Sequence, residues 1–183
     1  MSRHFHDNYQ LHTVIKVTIS PTPNHYVYTN KISMESHLYH VNLTWDQARK
    51  GTVCSPELAL ASPENACMQV ATPPEFPKGI PGIWSPEHLF TAAVVSCFMT
   101  TFLSIAENSK LNFKTFTCDS SGKLDMVNGK LQMSEVLLYP AVTLLNETDR
   151  ERALKVLSKT EAACLISNSI TSKVTMTPAI TVA

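Results

Sequence analysis

The stretch that decides the fold is Ser85-Pro86-Glu87-His88-Leu89-Phe90-Thr91-Ala92-Ala93-Val94-Val95-Ser96-Cys97-Phe98-Met99-Thr100-Thr101-Phe102-Leu103-Ser104-Ile105-Ala106. Ser85 suits an N-cap because its hydroxyl accepts from first-turn amides, and Pro86 suits the first helical position, where no N–H is needed. Glu87 follows at the favourable end of the helix dipole. Residues 89–106 carry no charge, and the thiol of Cys97 lies near their middle. The stretch therefore predicts one long uncharged helix with a central thiol.

This uncharged run permits two interpretations, a membrane span and the buried centre of a soluble domain. Eighteen uncharged residues are long enough to span a bilayer. Against that, the run contains five hydroxyl side chains, and no basic cluster flanks either end. A helix that is apolar all round is equally typical of a buried core. We therefore expect a buried helix and no membrane partner.

Composition limits the remaining classes. The 183 residues suffice for one domain, or for one domain with an extension. With 15 basic and 15 acidic residues and no like-charge run, nucleic acid is not an expected partner. The first ten residues lack the apolar core of a secretory signal, and the five cysteines show no C-x-x-C spacing. We expect a cytoplasmic protein with reduced thiols, no metal and no bound cofactor.

Other segments predict strands from β-branched residues or alternation. These strands are expected at residues 11–19, 25–29, 38–45, 67–71, 113–127, 130–142 and 174–182. Alternation over 38–45 predicts a half-buried strand, and Asn128-Gly129 predicts a hairpin turn because both residues accept positive φ. Seven of the eleven prolines lie in residues 56–86. We expect this segment to be a long loop that forms a wall of a pocket or a lid over it.

A second helix is expected after Thr148 and Glu151, which have the spacing of a capping box. Its apolar positions lead towards Cys164. Strands, a long helix, a hairpin, a second helix and a final strand predict an α+β fold. In this fold, antiparallel sheets wrap around the long central helix.

Two motifs resemble those of the OsmC/Ohr family. The first is Ser-Pro-Glu-His-Leu-Phe-Thr-Ala-Ala-Val-Val-Ser-Cys-Phe at residues 85–98, and the second is Glu-Ala-Ala-Cys-Leu-Ile-Ser at residues 161–167. The resemblance covers residues 37–183 and leaves residues 1–36 as an N-terminal extension with possible extra strands. It implies an intertwined homodimer that acts as a thiol peroxidase on organic hydroperoxides. It also implies an external dithiol reductant of the lipoyl type.

Thiolate formation at Cys97 needs assistance, because an ordinary thiol is a few per cent ionised at neutral pH. A mid-helix cysteine is out of reach of the helix dipole, so we expect a neighbouring cation to stabilise the thiolate. The family uses an arginine in the turn after its first strand, which Arg49 matches best; a solvated turn arginine is the alternative. Glu87 is expected to orient the guanidinium through a bidentate pair.

The spacing of Glu87 and Cys97 also bears on assembly. Ten helical residues span about 15 Å, so these two side chains of one chain cannot share a site. An antiparallel copy of the helix, crossing near Ala92 and Ala93, would bring Glu87 of one copy towards Cys97 of the other. The spacing therefore predicts two composite sites in a symmetric dimer.

The expected reaction begins with attack of Cys97 on the hydroperoxide, after which Cys164 condenses with the sulfenic acid to form a disulfide. Apolar neighbours of Cys97 are expected to favour organic peroxides: Phe90, Phe98, Met99, Phe102, Trp84 and Phe76. Leu165 stands where the family commonly has proline, which puts the presentation of Cys164 in question. The other three cysteines are expected to be structural: Cys54, Cys67 and Cys118.

Two other functions remain open at this point. A non-catalytic dimeric binder of small apolar molecules would keep the fold and lack a competent Arg49. A thiol redox sensor would form the disulfide without turnover.

Overall fold

The computed structural model describes residues 36–183 of the chain. Tyr39–Ala183 forms one compact unit. The strands expected at residues 11–19 and 25–29 lie outside the described residues. The boundary of the N-terminal extension stays a prediction.

A small antiparallel sheet precedes the central helix. It consists of β1 (Asn42–Gln47), β2 (Lys50–Cys54) and β3 (Cys67–Ala71), in that order. The strand predicted at 38–45 exists from Asn42, but the expected half-burial is wrong: Leu43 is 68% exposed and Trp45 is 73% exposed. The alternation is real, yet no layer of the described chain covers this apolar face.

The proline-rich segment contains more regular structure than expected. Besides β3, which matches its predicted bounds, it forms α1 (Pro56–Ala61) and a 3-10 turn (Pro63–Asn65). These two elements connect β2 to β3. Cys54 at the end of β2 lies directly opposite Cys67 at the start of β3, and the two form a disulfide. The expectation of reduced thiols is therefore wrong for these two cysteines. Strand register brings together two thiols that are 13 residues apart in sequence.

The central helix α2 runs from Pro86 to Asn108, and the Ser85 side chain accepts from the backbone N–H of His88, as predicted. It is long and apolar enough to cross a membrane by length and composition. One face is fully buried against the rest of the fold through Val94, Phe98, Phe102 and Ala106. The opposite face, including Met99 and Leu103, is exposed. Burial is thus confirmed for one face of the helix and not for its whole circumference.

The larger sheet packs on α2. It is built on a long antiparallel hairpin of β4 (Phe113–Val127) and β5 (Lys130–Leu144). Asn128 and Gly129 take φ values of 50° and 76°, so the predicted turn is confirmed. The expected final strand is divided into β6 (Lys173–Met176) and β7 (Ala179–Val182), which both pair parallel to β5. The break falls at Thr177-Pro178, because proline has no N–H for a ladder.

The helix α3 (Arg150–Ala163) follows a 3-10 turn at Glu147–Asp149 and packs against α2. The predicted capping box of Thr148 and Glu151 is wrong, since Asp149 holds the N-cap position without a side-chain capping bond. Asp149 instead pairs with Arg152 at 2.7 Å. Ala153, Val156, Leu157 and Thr160 are the buried positions of this helix. The α+β class with a central helix is confirmed.

The Cys54–Cys67 disulfide gives a test of stability. It closes a loop with a sequence separation of 13, so its removal is expected to lower the free energy of unfolding. For a loop of this length the chain-entropy estimate is roughly 3 kcal/mol. Urea unfolding of the wild type with and without dithiothreitol measures the difference. The double variant Cys54→Ser/Cys67→Ser should match the reduced wild type and should not respond to the reductant. Equal unfolding of the oxidised wild type and the double variant would contradict the assignment.

Candidate active site

The structure brings two of the four predicted site residues together. Cys97 lies in the middle of α2, and Cys164 is the residue at which α3 ends. Packing of α2 against α3 places the Cys164 thiol in hydrogen-bonding contact with the sulfur of Cys97. Both remain free thiols; Cys97 is half-buried and Cys164 is fully buried. A thiol pair at this contact is positioned for disulfide formation.

The pKa of Cys97 is lowered from its ordinary value. Burial alone would raise it, because a thiolate is poorly solvated inside a protein. Hydrogen-bond donors outweigh that effect. The backbone N–H of Ile166 donates to Cys97 Sγ at 3.4 Å. Further donors that lower the pKa are the Cys164 thiol, the Thr101 hydroxyl and the backbone N–H of Leu165.

The pKa of Cys164 is raised. Burial is the main cause, and the neighbouring Cys97 sulfur adds to it. The side chain and backbone of Ser167 act in the opposite direction, without reversing the shift. The opposite pKa shifts differentiate the two thiols, so the thiolate forms preferentially at Cys97 and the proton is kept preferentially at Cys164. This is the distribution that a nucleophile and a resolving thiol require.

The predicted partner Glu87 occupies a separate place. It lies in the first turn of α2, and its Oε2 atom is buried without a hydrogen-bond partner within residues 36–183. It lines a cavity of about 270 Å³ together with Phe90, Leu131 and Met133. Glu87 and Cys97 of one chain are ten residues apart on the same helix, about 15 Å along its axis. Glu87 and Cys97 of one chain therefore do not belong to the same site.

Arg49, the predicted cation, lies in the turn between β1 and β2. The carbonyl of Arg49 accepts from the backbone N–H of Thr72 at 3.1 Å, which holds this turn beside the end of β3. Its side chain is exposed, and neither Arg49 nor Glu87 takes part in an ion pair within the described part of the chain. In one protomer Arg49 is thus a solvated turn arginine.

Sequence reasoning missed four groups at the thiols. Thr101 is four residues after Cys97, which puts it on the same helix face, so its position was accessible from spacing. Ser167 is three residues after Cys164, and its side chain lowers the pKa of that thiol. Ser167 Oγ is buried with no hydrogen-bond partner of normal geometry within residues 36–183. The directions of the Leu165 and Ile166 N–H groups depend on backbone conformation, which the pattern of side chains in the sequence does not predict here.

The aromatic residues expected near Cys97 divide between core and surface. Phe98 and Phe102 are buried and stack on Phe116, with ring centroids 6.5 and 4.4 Å apart, so both belong to the core. Phe90 lines the cavity beside Glu87. Trp84 is exposed and contacts His88 edge-on at 6.1 Å between ring centroids. The described residues contain no cluster of metal-ligating side chains.

The fold and the thiols define a class of α+β protein in which a long central helix carries an acidic thiol facing a second, buried one. Comparison with known families gives the same result, since the family described as OsmC-like protein matches residues 79–179. The chain belongs to the OsmC-like family. The match includes α2, the β4–β5 hairpin, α3 and both thiols.

Individual relatives are distant. The uncharacterized protein YmaD of Bacillus subtilis (strain 168) is 23% identical over 146 residues, which is 77% of this chain and 91% of that protein. An OsmC-like protein of unknown function from Vibrio cholerae superimposes with a TM-score of 0.68 at 21% identity, covering 78% of this chain and 99% of that chain. An organic hydroperoxide resistance protein from Legionella pneumophila gives a TM-score of 0.61 at 22% identity, covering 79% and 97%. At this identity the solved structures support the fold.

The differentiated thiols give a pH prediction. Because the pKa of Cys97 is lowered, its alkylation by iodoacetamide should reach half its plateau rate at a lower pH than that of an ordinary thiol. Below that midpoint the rate should fall tenfold per pH unit, as the thiolate fraction falls. Peptide mass spectrometry measures each cysteine separately.

Cys118 is the internal control for that experiment, since burial raises the pKa of its thiol. It should alkylate more slowly than Cys97 at every pH below the two midpoints. A midpoint for Cys97 equal to or above that of Cys118 would contradict the assignment of Cys97 as the acidic thiol.

Proposed function

We propose that this protein is a thiol peroxidase that reduces organic hydroperoxides. The observation that carries the proposal is the contact between Cys97 and Cys164, with the pKa of the first thiol lowered and that of the second raised. Membership of the OsmC-like family and structural likeness to proteins named for organic hydroperoxide resistance support the same reaction.

The reaction balances with the two thiols alone. The Cys97 thiolate attacks the distal oxygen of ROOH, breaks the O–O bond and becomes a sulfenic acid, while the released alkoxide takes a proton to give ROH. The Cys164 thiol then condenses with the sulfenic acid, forms the S–S bond and releases water. One hydroperoxide and two thiols thus give one alcohol, one water and one disulfide.

We propose that the site is completed by a second copy of the chain. Glu87 carries a buried carboxylate oxygen with no partner in the described protomer, and a buried unpaired carboxylate is costly. Arg49 is the cation that we assign to this carboxylate and to the Cys97 thiolate. An antiparallel crossing of two α2 helices would bring Glu87 of one protomer towards Cys97 of the other.

The exposed apolar surface supports such a homodimer. The outer face of α2 exposes Met99 and Leu103, and β1 exposes Leu43 and Trp45. Large apolar side chains exposed on a helix face and on a strand are typical of an interface. Covering it with a second chain would give β1 the burial that its alternating sequence predicts.

The cavity beside Glu87 supports an organic substrate. Its lining includes Phe90, Leu124, Leu131 and Met133, so most of the contact surface is apolar. In the crossed dimer this cavity would face Cys97 of the other protomer. An alkyl or aryl group bound there would orient its –OOH group towards the thiolate, whereas hydrogen peroxide has no group to fill it.

The cycle needs two electrons from outside. An external dithiol of the lipoyl type is the reductant that we propose, and no bound cofactor is required. We propose a cytoplasmic location.

Steady-state consumption of cumene hydroperoxide with excess dihydrolipoamide tests the activity. The wild type should turn over many times. Cys97→Ser should abolish consumption, and Cys164→Ser should stop turnover because the sulfenic acid is left without its resolving thiol. Cys118→Ser should leave the rate unchanged. No consumption by the wild type would refute the peroxidase, and a single oxidation without turnover would instead fit a redox sensor.

The composite site predicts complementation between two inactive variants. A heterodimer of Glu87→Gln and Cys97→Ser protomers should contain one intact site, formed by Cys97 of the first variant and Glu87 of the second. Such heterodimers, purified with two different tags, should have about half the wild-type activity. Both homodimeric variants are the controls, and each should be nearly inactive. A heterodimer as inactive as its parents would contradict the shared site.

A further inference from the structure

Within residues 36–183, the turn that follows Cys164 leaves three backbone N–H groups without a carbonyl acceptor. Cys164 has an extended backbone, with φ −64° and ψ 112°, and its carbonyl accepts from Asn168 N–H at 3.0 Å. Within a turn closed in this way, the N–H groups of the first three residues point away from its own carbonyls. These belong to Leu165, Ile166 and Ser167.

Sulfur atoms take the place of the missing acceptors. Ile166 N–H donates to Cys97 Sγ at 3.4 Å. The backbone N–H of Ser167 lowers the pKa of the Cys164 thiol. The N–H of Leu165, next to that of Ile166 in the same turn, also lowers the pKa of Cys97. The turn therefore places two adjacent amides near the nucleophile.

We propose that the backbone N–H of Leu165, acting with that of Ile166, stabilises the Cys97 thiolate from within the same protomer. The proposal rests on the proposed function in one respect, namely that Cys97 is the attacking thiol. It deepens that function because groups of the same protomer then supply much of the stabilisation of the Cys97 thiolate, in addition to the proposed contribution of Arg49. Leu165 is a positioning residue here through its main chain and not through its side chain.

The side chain of Leu165 is not needed for this role. It is 63% exposed, so truncation should cost little packing. The substitution that removes the relevant group is proline, which lacks the N–H. The extended backbone of Cys164 is a conformation that residues before proline adopt, and proline suits the first position of a helical turn. Leu165→Pro and Leu165→Ala therefore form a matched pair that differs in the amide.

Other groups around Cys97 are held constant in this comparison. Within residues 36–183, the main influences on its ionisation are burial, the amides of Ile166 and Leu165, the Cys164 thiol and the Thr101 hydroxyl. Cys164 is the titratable side chain among them. Burial raises its pKa whereas that of Cys97 is lowered, so Cys97 is the first of the two to ionise.

The test is the pH profile of Cys97 alkylation in the wild type, Leu165→Pro and Leu165→Ala. A hydrogen bond to a charged group is worth about a tenfold change in an equilibrium constant, so Leu165→Pro should hold about tenfold less thiolate at neutral pH. Its midpoint should shift upwards, while that of Leu165→Ala should stay with the wild type. Equal midpoints for all three proteins, or equal shifts in both variants, would overturn the proposal.

A second measurement keeps the test independent of how Leu165→Pro folds. In the wild type, the amide proton resonance of Leu165 should move downfield as Cys97 ionises, with the same midpoint as alkylation. In Cys97→Ser this titration should be absent. A Leu165 amide that does not respond to ionisation of Cys97 would refute the proposal. Neither readout uses peroxide, so loss of the peroxidase assignment alone would leave both results unchanged.

Discussion

The proposed chemistry of this protein depends on one interaction, the contact between the sulfur of Cys97 and the turn after Cys164. A thiol in the middle of a helix gains nothing from the helix dipole, and burial works against its ionisation. The Ile166 amide at 3.4 Å, with the Cys164 thiol and the Leu165 amide, reverses that balance. The same contact brings the resolving thiol to the nucleophile. Ionisation of Cys97 and its pairing with Cys164 thus depend on the same contact.

The rest of the fold holds that contact in place. The helix α2 is anchored by the buried side chains of Val94, Phe98, Phe102 and Ala106, all on the face that packs into the domain. Cys97 is adjacent to Phe98, so packing of that ring fixes the position of the thiol along the sheet. The helix α3 packs against α2 and ends at Cys164, the residue whose thiol contacts Cys97. The small sheet with its Cys54–Cys67 disulfide is separate from this core, and it carries Arg49.

Sequence predicted those parts of the molecule that depend on local chemistry. Ser85 and Pro86 fixed the start of α2, and Asn128-Gly129 fixed the turn of the long hairpin. Features that depend on tertiary contacts were not accessible in this way. The Cys54–Cys67 disulfide follows from strand register, and the amides directed at Cys97 follow from the backbone of a turn. The burial of β1 was predicted from an alternation that the single chain leaves exposed, because such a pattern does not say which chain covers it.

The most direct test of the central claim is peptide mapping of the fully reduced protein after one equivalent of cumene hydroperoxide. The thiol contact predicts that a Cys97–Cys164 disulfide is the main new linkage, formed within seconds and accompanied by one equivalent of alcohol. Cys118 should remain a free thiol. Survival of both thiols, or oxidation of Cys97 to the sulfinic acid with Cys164 still reduced, would contradict the claim that these two cysteines act as a pair.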